Sequence, residues 1–213
     1  MIITISHQKG GVGKSTIAFN LAVELGKKFG EKQVKIIDLD VQKSLTQANL
    51  IRKNNKLTPL NIIEGKDENE IVSVMENFPQ KEILIIDSGG FDSSLNRIAI
   101  VGADIILTPV TDKTFDLLGL QRYEEILKEL SEIEKRTIKS YVFLNNINPN
   151  VKKMEELIRF INSSKHFEIL KTVIRTRIDF SNSIAEGKSV TEYKKESKAA
   201  KEIQNFIKEI INL

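Results

Sequence analysis

The sequence predicts an α/β domain built on a mostly parallel, doubly wound sheet. Three observations predict it. Short apolar runs alternate with longer amphipathic stretches along most of the 213 residues. The first run leads directly into a glycine-rich turn and then a helical pattern. Two later runs each end in a carboxylate, Asp38 and Asp87. Near-continuous apolar strands are expected where helices cover both faces of a sheet, which is the parallel case.

Taken in order, residues 2–6 read as a strand and 15–29 as a helix. Strands follow at 34–38, 83–87, 104–110 and 140–145. Helices follow at 43–54, 117–134 and 151–161. A last helix at 197–211 carries Ile203, Phe206, Ile207, Ile210 and Ile211 on one face, as expected of a helix closing the core. The segment 54–70 is the most polar and least regular part, too short to be a domain. One domain, 1–213, is the expectation. The chain opens on its first strand, so no DNA-reading module is expected before it.

Composition narrows the function classes. With 40% apolar and 29% charged residues the chain has an ordinary globular make-up, and a net charge of +3 does not by itself argue for nucleic acid. The absence of cysteine excludes a disulfide framework, a thiolate zinc site and a cysteine-ligated iron–sulfur cluster. There is no signal-peptide pattern and no run of eighteen apolar residues, so a cytoplasmic location without a membrane partner is expected.

The turn after the first strand is Lys9-Gly10-Gly11-Val12-Gly13-Lys14-Ser15-Thr16. Strand, glycine-rich loop and helix in that order form a phosphate cradle. Glycines let backbone N–H groups converge on phosphate oxygens, and the helix adds its positive end. Lys14 is expected to reach the β- and γ-phosphates of ATP, and the Ser15 hydroxyl to ligate Mg²⁺. The general pattern has glycine where Gln8 stands, and Lys9 occupies the front of the loop instead. Asp38 and Asp40, two apart at a strand end, share one side of the sheet, where ligands of open α/β sheets bind. Ile83-Leu84-Ile85-Ile86-Asp87 has the form of a strand that delivers one carboxylate to a metal site.

The loop with its front lysine resembles the deviant Walker A motif of the ParA/MinD class of ATPases. The resemblance implies that Lys9 reaches across an ATP-sandwich homodimer to the partner's phosphates. It also implies that Asp38 positions the attacking water and contacts the Mg²⁺ shell, and that Asp40 is the second switch carboxylate. Val41 replaces the family's usual proline, and Ser88-Gly89-Gly90 stands where paired prolines are frequent. Ala103 to Val110 is similar to the family's A-D-x-x-x-x-P-V strand. Asn145 sits where related NTPases place an adenine contact. The late segments around Ile174-Arg175-Thr176-Arg177 and Gly187-Lys188-Ser189-Val190 are also similar to the family's.

Within the class, the branches that need cysteines are excluded, and two branches remain: DNA partition and membrane positioning of the MinD kind. A membrane helix would carry a basic polar face, whereas the final helix mixes Lys201 and Lys208 with Glu202 and Glu209. Between Lys165 and Lys201 nine basic residues face five acidic ones. Arg175, Arg177, Lys188, Lys194, Lys195 and Lys198 are the candidate DNA contacts, non-specific because no aromatics are interleaved. The short chain resembles the small ParA/ParF type of partition ATPase. That resemblance implies slow, partner-stimulated hydrolysis, nucleoid association in the ATP state and a separate centromere-binding protein. The alternatives are a MinD-like membrane-cycling ATPase, a small-molecule P-loop ligase and a non-hydrolysing nucleotide-gated adaptor.

Overall fold

The computed structural model describes residues 1–65, 67–113, 116–151 and 154–213. Seven strands form one sheet: β1 (Ile2–Ile5), β2 (Val34–Asp38), β3 (Asn61–Ile63), β4 (Ile83–Asp87), β5 (Ile105–Val110), β6 (Ser140–Ile147) and β7 (Phe167–Arg175). Their order is β3-β2-β4-β1-β5-β6-β7, and every pairing is parallel. The helices are α1 (Lys14–Phe29), α2 (Ser44–Asn54), α3 (Glu68–Glu76), α4 (Ser94–Val101), α5 (Asp116–Ile133), α6 (Glu155–Ser163), α7 (Ile178–Ala185), α8 (Val190–Tyr193) and α9 (Lys198–Ile211). Lys152 and Lys153, inside the helix expected at 151–161, lie outside the described residues.

Strand alternation sorts the core into two layers. Ile3, Ile5, Ile36, Ile83, Ile85, Leu107 and Phe143 face α1, α2, α8 and α9. The intervening residues Ile2, Ile37, Leu84, Ile86, Ile106 and Val142 face α3, α4, α5 and α6. Continuing the first set by two places puts Asp38 after Ile36 and Asp87 after Ile85. Both carboxylates therefore emerge on the α1 side, beside the glycine loop. They are register partners on adjacent strands. β1 lies between β4 and β5, so the loop that follows it sits among the C-terminal ends of the central strands.

The expectation of five strands is extended to seven. β3 falls in the stretch that looked irregular, since three residues give too little alternation to read. β7 mixes buried, half-buried and exposed positions without a regular alternation and takes the edge, where mixed polarity hides a strand. Its outward backbone is closed by α9. Glu209 accepts from the Lys171 and Thr172 N–H groups at 2.7 and 2.9 Å, and Glu202 accepts from the Arg175 N–H at 3.1 Å. The apolar face of α9 is buried as expected, with the Phe206 ring 4.4 Å from that of Phe143. Helix and sheet edge are thus bonded by packing and by charge-assisted hydrogen bonds.

α2 is fastened to the α7–α8 corner. Arg52, 4% exposed, donates to both carboxylate oxygens of Glu192 at 2.7 and 2.9 Å and to the Gly187 carbonyl at 3.0 Å. Gly187 has φ +65°, and a Cβ there would stand 2.3 Å from the Arg52 backbone nitrogen. Gly187→Ala combines left-handed strain with a backbone collision. It is expected to cost about 3 kcal/mol or more of stability, measurable by denaturant unfolding.

Candidate nucleotide site

The glycine loop is shaped by two left-handed residues, Gly11 and Gly13. Gly13, at φ +92°, also sits where a Cβ would stand 2.5 Å from the Asn145 amide nitrogen. That close approach is used: Asn145 Nδ2 donates to the Val12 carbonyl at 2.7 Å, bracing the loop from the end of β6. α1 begins at Lys14 with no side-chain cap and no acidic residue in its first turn. Among the described residues no side chain caps its leading N–H groups, around Ser15 and Thr16, which leaves them available to an anion. Gly10 is approached by Gly90 of the segment that follows β4, whose added Cβ would lie 2.9 Å from the Gly10 nitrogen.

Lys14 is buried and donates to the Lys9 carbonyl at 3.1 Å, closing the loop on itself. Burial lowers its pKa, against the pull of Asp87 and Asp40. Asp87 is fully buried, and neither of its oxygens has a hydrogen-bond partner among the described residues. Burial pushes its carboxyl up to about 7, with Asp38 and Asp40 adding to the shift and the nearby Ser15 hydroxyl and Lys14 opposing it. An orphaned carboxylate beside a hydroxyl is a hard-oxygen donor set that suits Mg²⁺. No group of three or more His, Cys, Asp or Glu side chains able to hold a metal occurs among the described residues. Such a site suits an ion that takes most of its ligands from phosphate and water.

The raised pKa has a sign. The contribution of Asp87 to nucleotide-free stability is fully present below its ordinary value of 3.8 and lost as pH rises to about 7. Asp87→Asn is therefore expected to stabilise the nucleotide-free protein by about 2 kcal/mol at pH 8 and to leave it little changed at pH 4. Thermal melts at the two pH values check this.

Asp38 is also buried, but it is engaged. Its Oδ2 accepts from the Thr46 N–H at 3.0 Å and hydroxyl at 2.7 Å, and its Oδ1 from the Asp40 N–H at 3.2 Å. The carboxylate thus serves as a remote N-terminal cap for α2. Lys43 donates to the Asp38 carbonyl. Asp40 is half-buried and accepts from the Gln42 N–H at 2.9 Å.

Lys9 lies at the loop mouth with its ammonium on Asp116, the first residue of α5. Asp116 is buried, and its second oxygen accepts from the Thr111 N–H. Burial works against its charge, but the bonds from Lys9 and Thr111 prevail and hold the carboxyl below its ordinary range. Sequence reasoning missed Asp116, because an acidic residue in a helix's first turn looks like an ordinary dipole partner. It also missed Thr46, and Asn96, which accepts from the Gly89 N–H and donates to the Phe91 carbonyl.

Beside the loop opens a cavity of about 810 Å³, a size that suits a nucleotide. Its apolar walls include Ile17, Ile174, Phe180 and Ile184, and Thr16 and Asn145 add polar atoms. Arg175 and Arg177, both half-buried, line it too. Arg175 donates to the Asn148 and Val151 carbonyls at 3.3 and 3.1 Å, and Arg177 to Glu202 at 2.5 Å. Lys188 pairs with Glu186 at 2.8 Å. Lys194, Lys195 and Lys198 are exposed.

Residues 3–190 match the family model of the CobQ/CobB/MinD/ParA nucleotide-binding domain. The chain belongs to that family. Within it, the ParA/MinD class of P-loop ATPases is the branch it resembles. The virulence plasmid ParA family protein pGP5-D of Chlamydia trachomatis is 25% identical over 96% of this chain and 91% of its own length. Protein ParA of Rhizobium radiobacter is 30% identical over 72% of this chain and 68% of its own. Among solved structures, the septum site-determining protein MinD of Pyrococcus horikoshii, complexed with Mg-ADP, superposes with a TM-score of 0.71. It has 18% identity and covers 98% of this chain and 95% of that one. The ParA/MinD fold therefore spans this chain nearly end to end. Among the described residues no helix is long and apolar enough to cross a membrane.

Proposed function

We propose that this protein is a DNA-partition ATPase. It would close an ATP sandwich between two copies, coat DNA non-specifically and be recycled by hydrolysis. The observation that carries the reading is the division of labour between two lysines. Lys14 lies inside its own phosphate loop, whereas Lys9, at the same mouth, turns away from it onto the buried carboxylate of Asp116. A cation at the loop's edge, not spent on its own phosphate site, is suited to reach a partner's.

In this scheme Lys14 and the leading amides of α1 hold the β- and γ-phosphates of ATP, and the cavity walls take the base and ribose. Asn145 keeps the loop in its open cradle form. Ser15 and Asp87, with Asp38 beyond them, would hold Mg²⁺, which supplies charge neutralisation on the phosphates. Asp38 orients the attacking water once its carboxylate is released from Thr46, so hydrolysis is linked to movement at the start of α2. Lys9 from the partner offsets charge developing on the leaving phosphate. DNA backbone binding falls to Lys194, Lys195 and Lys198, with Lys188 at their margin and Arg175 and Arg177 set back against the cavity. A separate centromere-binding protein would stimulate hydrolysis. The membrane-cycling alternative is disfavoured by α9, whose apolar face is spent in the core.

The test is DNA binding with ATP, ADP and no nucleotide across a salt series. ATP-specific binding is expected, with affinity falling steeply with salt. Lys194→Ala with Lys198→Ala should make the slope of log affinity against log salt shallower. The expected change is about 1 for each phosphate no longer neutralised, doubled in the dimer. Equal binding in all nucleotide states would overturn the partition reading.

A further inference from the structure

His7 lies two residues beyond β1, on the way into the phosphate loop. It is fully buried, and neither ring nitrogen has a hydrogen-bond partner among the described residues. Leaving two buried ring nitrogens unpaired is costly, and none of the roles assigned so far uses them. One face of α5 meets this ring. Asp116, Gly119 and Tyr123 stand at i, i+3 and i+7. The Tyr123 ring stacks on His7 with centroids 6.1 Å apart and 9° between planes. A Cβ on Gly119 would lie 3.0 Å from His7 Cε1, 3.9 Å from His7 Nδ1 and 3.6 Å from Lys9 Cβ. The imidazole and the Lys9 stem therefore run side by side over Gly119, one helical turn from the carboxylate that Lys9 grips.

If Lys9 leaves for a partner's nucleotide, Asp116 is left buried without its cation, a strongly unfavourable arrangement. We propose that His7 is a positioning residue for this transfer: it takes up a proton as Lys9 departs and replaces Lys9 as the counter-ion of Asp116. The inference rests on the proposed trans role of Lys9. The N–H bond on the imidazole forms as an O–H bond of solvent hydronium breaks, leaving water, and the buried pair keeps its net charge of zero. Lys9 is thereby released without exposing a bare carboxylate, so the cost of forming the dimer falls as protons become available.

The surroundings have the right signs. The charged and titratable groups facing His7 are Lys9 and Lys14 from the loop and Asp116 and Tyr123 from α5. Burial, with Lys14 and then Lys9, holds the ring neutral down to about pH 4, and Asp116 pulls the other way. Departure of Lys9 removes one opposing charge, and phosphate bound at Lys14 offsets the other. Tyr123, pushed up to about 12 by burial, stays neutral throughout.

The chain has only two histidines, so His166→Gln assigns the His7 ring resonances in NMR spectra of the full-length protein. In nucleotide-free wild type, His7 should remain neutral from pH 8 to 5.5. Lys9→Met keeps the stem and removes the charge, and should raise the His7 midpoint by at least one pH unit. Adding Asp116→Asn should bring it back down. An identical midpoint in wild type and Lys9→Met overturns the inference. A second measurement serves if Lys9→Met does not fold. With ATP and Mg²⁺, the wild-type dimer dissociation constant should fall about fivefold to tenfold more between pH 7.5 and 6.5 than that of His7→Asn. Equal pH slopes overturn the inference while leaving the ATPase reading intact. A protein that never dimerises with ATP overturns the partition reading instead, and the nucleotide-free titration still decides the role of His7.

Discussion

Replacing Lys14 by alanine is expected to weaken ATP binding by about 100-fold or more, without loss of nucleotide-free stability. The two halves of that result have one cause. Lys14 is buried in the loop, where it donates to the Lys9 carbonyl, and burial disfavours its charge against the pull of Asp87 and Asp40. Removing it relieves the empty site of a poorly compensated cation. With phosphates present the same ammonium becomes half of a desolvated charge pair, and truncating such a partner costs about 3 kcal/mol, or roughly 100-fold. Titration calorimetry with ATP, alongside a thermal melt, reads both effects. A merely structural lysine would give the opposite pattern, with a lower melting temperature and unchanged affinity.

Lys9→Met should separate binding from turnover. ATP and ADP affinities of the monomer are expected to stay within about threefold of wild type, since Lys14 and the α1 amides are untouched. Hydrolysis and ATP-dependent dimerisation should fall by about 10³-fold, the lower end for loss of a cation supplied in trans to phosphoryl transfer. The nucleotide-free monomer should also lose about 2 kcal/mol, because Asp116 is left as a buried carboxylate held by Thr111 alone. Lys9→Met combined with Asp116→Asn should recover that stability and recover none of the dimer. Chemical denaturation and single-turnover hydrolysis of the two variants distinguish the roles.

The parts legible in the sequence are those that local chemistry fixes. The loop, its helix and the strands ending in Asp38 and Asp87 announce themselves through glycine spacing and apolar runs. Strand alternation carries both carboxylates to the α1 side, because period two is rigid geometry. What stayed hidden depends on distant partners. Nothing near Asp116 says that a lysine more than a hundred residues earlier will pair with it. Nothing near Thr46 says that its hydroxyl will hold Asp38. The partners of Arg175 and Arg177 stayed hidden too, because charge counting ignores counter-charges on another element. Glu202 of α9 is close to Arg177 only through the sheet edge. β7 itself was missed for the same reason: an edge strand closed by helix carboxylates has no continuous apolar run to reveal it.

The most direct measurement is sedimentation velocity of the full chain with Mg²⁺ and a non-hydrolysable ATP analogue, then ADP, for wild type and Lys9→Met. Wild type should sediment as a dimer with the ATP analogue and as a monomer with ADP. Lys9→Met should remain a monomer in both while still binding the analogue. A Lys9→Met protein that dimerises as wild type does would contradict the assignment of Lys9 to the partner's nucleotide.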